Sequence, residues 1–224
     1  MEHDKRSDAG FTLAGFTLDR WRRLWRRLNL QGDGDAVFRR LRRAHGQWWR
    51  AYHDAVHVAD CLAWLDRVQG EPKDPDLLEM AFWFHDAVYV PWLPRNEERS
   101  AAWAERVLRR AGLGEERLRT VTELILATRH GHGTEGRGSE PADRLWMVDI
   151  DLSILGAEPE RFGRYERQIR QEYRWVGATR FRRGRRAVLE SFLAADAVYS
   201  TDWFRARLES RAQANLKRAL DRLR

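Results

Sequence analysis

The sequence predicts an all-α fold, and three features predict it. Apolar residues recur at helical spacing through almost every segment. Period-two runs and hairpin signals are absent. Pro and Gly fall where the periodic segments stop rather than inside them. No stretch has the composition of a linker, so residues 1–224 read as one domain, long enough to bury a sizeable core.

The elements follow in order. Residues 1–16 read as a flexible lead-in. Trp21, Leu24, Trp25 and Leu28 then fall at i, i+3, i+4 and i+7, with Arg on the other face and Thr17 or Asp19 available as a cap. This DRWRRLWRRL stretch has the basic amphipathic pattern of a membrane-surface helix. A first core helix, with Arg stems covering Trp edges, is the better reading. A second helix is expected over 35–44 and a third over about 54–68, ending near Gly70 and the Pro72–Pro75 loop. Asp76 to Val88 is apolar on most sides and reads as a buried central helix, after which Pro91 and Pro94 break the chain.

Asn96 is a good N-cap for a helix to about Ala111, with Glu97 and Glu98 in its first turn and Gly112 and Gly114 as its stop. Glu115 to Arg129 is helical, and GHGTEGRGSEP is the longest loop. Helical pattern resumes over Asp143 to Leu155. Pro159 suits the first turn of a helix reaching about Val176. Segments 178–195 and 201–222 complete the chain.

Composition narrows the function. Hydrophobic residues make up 43% and aromatics 11%, eleven of them Trp, which excludes a disordered chain. No run approaches the roughly 18 apolar residues of a membrane span, and the N-terminus lacks a signal-peptide core; the expected address is the cytoplasm, with no membrane partner. Cys61 is the only cysteine, so no internal disulfide can form and a metal is expected on nitrogen and oxygen ligands. The net charge of +7 suits an anionic partner. Only three of the 41 basic side chains are Lys, however, and the Arg are spread along the whole chain, as a compositional bias would spread them. TRFRRGRR (179–186) has the look of a nucleic-acid patch, but without stacking aromatics it reads as a solvated turn, and nucleic acid is not an expected partner.

The chemistry concentrates in a repeated tetrapeptide. HDAV occurs in YHDAVHVADCL (52–62) and again in FHDAVYV (84–90). On a helix, His53 and His57 lie one turn apart on a shared face. HDAVH then resembles the HExxH zinc-protease pattern, with a shorter Asp as base and no obvious third ligand. His85 and Asp86 end an apolar helix, where an Asp is costly to bury unless it is paired or metal-bound. MVDIDLSILG adds Asp149 and Asp151, which point opposite ways on a helix, so that one of them faces a given site. Mixed imidazole and carboxylate ligation suits Mn, Fe, Co, Ni or Zn.

The ordered set RAYHDAVHVADCL (50–62), FHDAVYV (84–90), NEERSA (96–101), DIDLSILG (149–156), YERQIRQEY (165–173) and FRRGR (181–185) resembles the HD superfamily of metal-dependent phosphohydrolases. The match is nearest to a bacterial branch of HD-type phosphohydrolases, and the motif-bearing core covers about 50–186. The resemblance implies an HD-type helical domain with flanking N- and C-terminal helices. It implies a divalent metal (Mn, Fe, Co, Ni, Zn or Mg) on His57, His85, Asp86 and Asp151. By analogy with related cyclic-nucleotide phosphodiesterases, His53, four residues before the first ligand, would be the general acid. Asp86 could bridge to a second ion, and Glu97 or Glu98 could turn back to a metal-bound water. Arg50, Arg129, Arg170 and His130 (or His132) are candidates to hold the phosphate. The branch has Asn where this chain has Asp54. The expected reaction is hydrolysis of a phosphate ester or anhydride in a small metabolite, first of all a nucleotide. The rival is a helical module that senses a nucleotide without hydrolysing it.

Overall fold

The computed structural model describes residues 15–68, 70–129 and 142–223. In these residues the chain forms ten α-helices and no strand, so the fold is all-α. In chain order they are α1 (Leu18–Arg27), α2 (Gly34–His45), α3 (Ala55–Arg67), α4 (Pro75–Phe84), α5 (Asn96–Arg110), α6 (Glu115–Ala127), α7 (Ala142–Asp151), α8 (Pro159–Glu172), α9 (Ala178–Ala194) and α10 (Asp202–Arg222). A 3₁₀ turn, Leu152–Gly156, continues α7. No described helix is long and apolar enough to cross a membrane.

Short polar side chains fix the helix starts. Thr17, Asp33, Asp54, Asp74 and Thr201 each accept a backbone N–H from the first turn of the helix that follows. Four expected boundaries move. The central helix stops at Phe84 rather than Val88: the Val88 N–H, which a longer helix would direct to the Phe84 carbonyl, donates to the Ser100 hydroxyl, and the Asp86 and Ala87 carbonyls accept from the Arg50 guanidinium. Asn96 is not the N-cap of α5. Arg95, in the left-handed region (φ 63°), takes that position, and the Asn96 amide ties the preceding loop together through Val90 and Leu93. Helix α8 ends at Glu172, short of Val176, and Arg170 covers the carbonyls of Tyr173 and Val176 just beyond it. The TRFRRGRR stretch is not a turn; it lies inside α9, where Arg185 is buried over Tyr165 and paired with Glu166.

A helix apolar all round must be covered all round. Helix α4 is such a helix: Leu78, Met80, Ala81, Phe82, Trp83 and Phe84 are fully buried, and α1, α3, α5, α6 and α7 pack on it. Each of the larger side chains among these contributes about 1.5–3 kcal/mol through burial. Helix α1 is a core helix, as its Trp spacing implies. Trp21 and Leu24 are fully buried, while Arg20 and Arg27 reach the single buried acid of α4, Glu79, at 2.8 and 2.7 Å. Phe16 packs on Phe38, His45 and Trp83, so the expected flexible lead-in does not extend to it; residues 1–14 lie outside the described residues. His45 is itself a core residue, and burial pulls its imidazole down to about 3, leaving it neutral.

Candidate metal centre

Each end of a helix leaves backbone and side chains free to point away from the helix axis, and the site is assembled at such ends. Asp54 caps α3 through the N–H groups of Val56 and His57, which sets His57 in the first helical turn and leaves His53 just outside. The two histidines are therefore not on one helical face as expected. His85 is the C-cap of α4, so Asp86 follows it out of the helix. Asp151 closes α7 where the chain tightens into the 3₁₀ turn. Asp149, two residues earlier, points elsewhere. It is fully buried and accepts from Ser200 N, Thr201 N and the Thr201 hydroxyl, joining α7 to the start of α10.

These ends converge. His57 Nε2 lies 3.0 Å from His85 Nε2, 3.1 Å from Asp151 Oδ1 and 3.6 Å from Asp86 Oδ2. His85 Nε2 lies 3.3 Å from Asp86 Oδ2 and 3.6 Å from Asp151 Oδ1. Atoms about 2.1 Å from one ion are about 3.0 Å apart at right angles and about 3.4 Å apart at tetrahedral angles. The separations fall around those values, so the donor set fits a metal ion. A second detail fits as well: His85 Nδ1 donates to the Phe82 carbonyl at 2.9 Å, so Nε2 is the ring nitrogen left to face the cluster. Burial alone would raise the Asp86 carboxyl, but the facing His85 and His53 charges outweigh it and hold Asp86 far below the usual carboxylate range.

Cys61, one turn after His57 on α3, lines the same space. The thiol was not expected at a metal site, yet His57, Cys61, His85 and Asp151 form a buried group that could hold an ion. Its sulfur is 3.9 Å from both ring nitrogens of His57, so it sits beside the ring and off the axis of the Nε2 lone pair. An ion on that axis would be more than about 4 Å from it unless the side chain turned. Burial and the nearby Asp151, Asp60 and Asp86 carboxylates push the thiol well up. The four imidazole and carboxylate groups are the better-placed donors.

His53 stands outside that group and is held by a residue the sequence reading passed over. Glu172, at the end of α8 and almost fully buried, accepts His53 Nδ1 at 2.7 Å and the Tyr89 hydroxyl at 2.9 Å on Oε2. Its Oε1 accepts the backbone N–H groups of Ala51, Tyr52 and His53 at 2.8, 2.8 and 3.0 Å. Burial works against this charge, but the His53 imidazolium and the backbone donors prevail and hold Glu172 down at about 2. In return the His53 imidazole is raised: burial lowers it, while Glu172, Asp86 and Asp151 more than compensate. The ring stacks on Tyr89 with centroids 4.1 Å apart. His53 is thus an oriented imidazole of raised basicity at the edge of the cluster, with Nε2 free of Glu172. Since it is not among the clustered donors, HDAVH does not supply two ligands from one helix, as the zinc-protease pattern requires.

The expected phosphate-holding arginines are occupied otherwise. Arg50 is buried, and four of its five N–H bonds go to the Gln47 side chain and the carbonyls of His53, Asp86 and Ala87. It is a bracket between the His53 turn and the end of α4. Arg170 donates to the carbonyls of Tyr173 and Val176 and covers the Phe181 ring. Arg129 pairs with Glu98 at 3.0 Å, which takes Glu98 up in an ion pair rather than toward the cluster. The Glu97 side chain makes no hydrogen bond or ion pair among the described residues, and its charge acts on Tyr173. His130, His132 and the Gly-rich loop lie outside the described residues.

No family model, no curated protein and no solved structure matches the chain.

Proposed function

We propose that this chain is an HD-type metal-dependent phosphohydrolase acting in the cytoplasm on a small phosphorylated metabolite, a nucleotide before others. The observation that carries the reading is the convergence of His57, His85, Asp86 and Asp151, drawn from three separate helices, beside an imidazole that Glu172 holds in place. Two imidazoles with two carboxylates favour Mn, Fe, Co, Ni or Zn over Mg, which prefers oxygen. A divalent ion on these side chains would supply Lewis acidity and an acidified water at neutral pH.

The chain's own groups do the rest. A water oxygen forms a bond to phosphorus, and the P–O bond to the leaving oxygen breaks. The Nε2 proton of His53 passes to that leaving oxygen. The proton shed by the water reaches solvent, and solvent reprotonates His53. Glu172 and Tyr89 orient the imidazole, and Arg50 holds the His53 turn against Asp86. The test is turnover of a panel of phosphate esters by metal-supplemented protein, wild type beside Asp86→Ala. Turnover in the wild type and none in the variant, with helical content retained, is the expected result. Equal turnover in both would overturn the reading, and tight nucleotide binding without turnover in the wild type would replace it with a sensing module.

A further inference from the structure

The arginines of α2 and α5 divide into two sets. Arg39 pairs with Asp33, and Arg109 pairs with Glu105 and Glu115. Arg40, Arg43, Arg106 and Arg110 have no ion pair among the described residues, and all four line one groove between the two helices. The groove consists of two cavities, of about 210 and 420 Å³, which are continuous because Arg40, Trp103 and Arg106 line both. Trp103, Arg106, Val107 and Arg110 fall at i, i+3, i+4 and i+7 on α5, so a single stripe of that helix forms one wall. Arg40 reaches across from α2, its guanidinium 5.3 Å over the Trp103 ring. Asp33 is the acid among the lining residues, and its carboxylate is taken up by the N-cap of α2 and by Arg39. Like charges at i, i+4, such as Arg106 and Arg110, repel. Two indoles add neutral donors. Trp25, 8% exposed, and Trp103 both line the smaller cavity, and their buried N–H groups find no acceptor among the described residues. A buried donor is ordinarily bonded.

We infer that this groove binds a small, multiply charged oxyanion, an oligophosphate or a polycarboxylate, at a site apart from the metal centre. None of His57, His85, Asp86 and Asp151 lines it. The planar fork of a guanidinium matches two oxygens of one phosphoryl or carboxyl group, and four such forks call for a ligand with more than one anionic group. Such a ligand offsets the mutual repulsion of the arginines and brings oxygens to a wall that lacks acceptors. The larger cavity is of the size that small-molecule sites have. Tyr89, which stacks on His53 and donates to Glu172, lines the end of that cavity, so an occupant touches the segment that orients the imidazole.

The test is titration calorimetry with two probes, inorganic tripolyphosphate and citrate, at about 0.15 M salt, where diffuse surface attraction is screened. Wild type is compared with Arg40→Gln, Arg106→Gln and Trp103→Phe. Arg119→Gln serves as an exposed arginine outside the groove, and Asp151→Ala removes a carboxylate from the metal cluster. Arg40 and Arg106 are themselves exposed, so their loss leaves the core intact, and circular dichroism checks that it does. Saturable one-to-one binding of at least one probe is expected, equal in wild type, Arg119→Gln and Asp151→Ala. Affinity should fall about tenfold or more in either groove arginine variant and about threefold in Trp103→Phe, which keeps a ring and loses the N–H. The probe that binds more tightly tells phosphate from carboxylate chemistry. No saturable binding of either probe by the wild type would overturn the inference, as would unchanged affinity in Arg40→Gln and Arg106→Gln. An equal loss in Arg119→Gln would reduce the groove to diffuse charge, and a loss confined to Asp151→Ala would move the anion to the metal cluster; either result overturns it. The site stands or falls without the hydrolase, because binding that survives Asp151→Ala owes nothing to turnover.

Discussion

Glu172 spends one oxygen on three backbone N–H groups and the other on His53 and Tyr89, so its charge is fixed in place and the imidazole with it. If His53 is the acid, its value depends on how badly the leaving oxygen needs a proton. His53→Gln and Glu172→Gln are each expected to slow hydrolysis of alkyl phosphates by about 10²–10⁴ while changing that of p-nitrophenyl phosphate little, with bound metal unchanged. Equal losses on both esters, read by steady-state kcat, would remove His53 from the proton transfer. At this scale the sequence was partly legible. His85 and Asp86 stand out because an acid at the end of an apolar helix needs a reason to be there, whereas the choice of His57 and of Asp151 over Asp149 comes from the family resemblance. Glu172 does not, since it lies in a polar helix and its partners at Ala51 to His53 are some 120 residues away. Arg50 and Arg170 illustrate the converse. In an Arg-rich chain nothing local tells a guanidinium that meets phosphate from one saturated by carbonyls.

Helix ends, more than helix faces, decide where the chemistry sits. Asp54 starts α3 so that His57 lies inside it and His53 outside; the end of α4 releases Asp86; the tightening after α7 sets Asp151. Periodicity and capping residues made the existence and order of the helices readable. The boundaries that moved did so through side-chain bonds to loop backbone that periodicity does not register, such as the Ser100 hydroxyl on the Val88 N–H or the Asn96 amide on Val90. The junction that holds Asp151 depends on close approach of the 3₁₀ turn to α10. A Cβ on Gly156 would meet Leu208 Cβ at 2.7 Å, the Tyr199 hydroxyl at 2.8 Å and the Leu208 carbonyl at 3.1 Å. Gly156→Ala is therefore expected to destabilise the protein by about 1–3 kcal/mol, read as a lower denaturation midpoint. A midpoint equal to wild type would show that the two elements separate without cost.

The all-α fold was legible because helical spacing runs through the whole chain, and α4 announced itself as the centre by being apolar on every side. What no segment could announce is that the ends of α3, α4 and α7 meet. The donor set exists only when those helices are packed, so an ion held there binds the folded chain and not the unfolded one, and occupancy must couple to global stability. The most direct measurement is metal content by mass spectrometry on untagged protein, wild type beside Asp151→Ala, with circular dichroism on both. One or two equivalents of a transition metal in the wild type, lost from a variant that keeps its helices, is the expected result. No metal in the wild type after supplementation with Mn, Co and Zn, or the same content in both proteins, would contradict the assignment of this cluster as a metal centre.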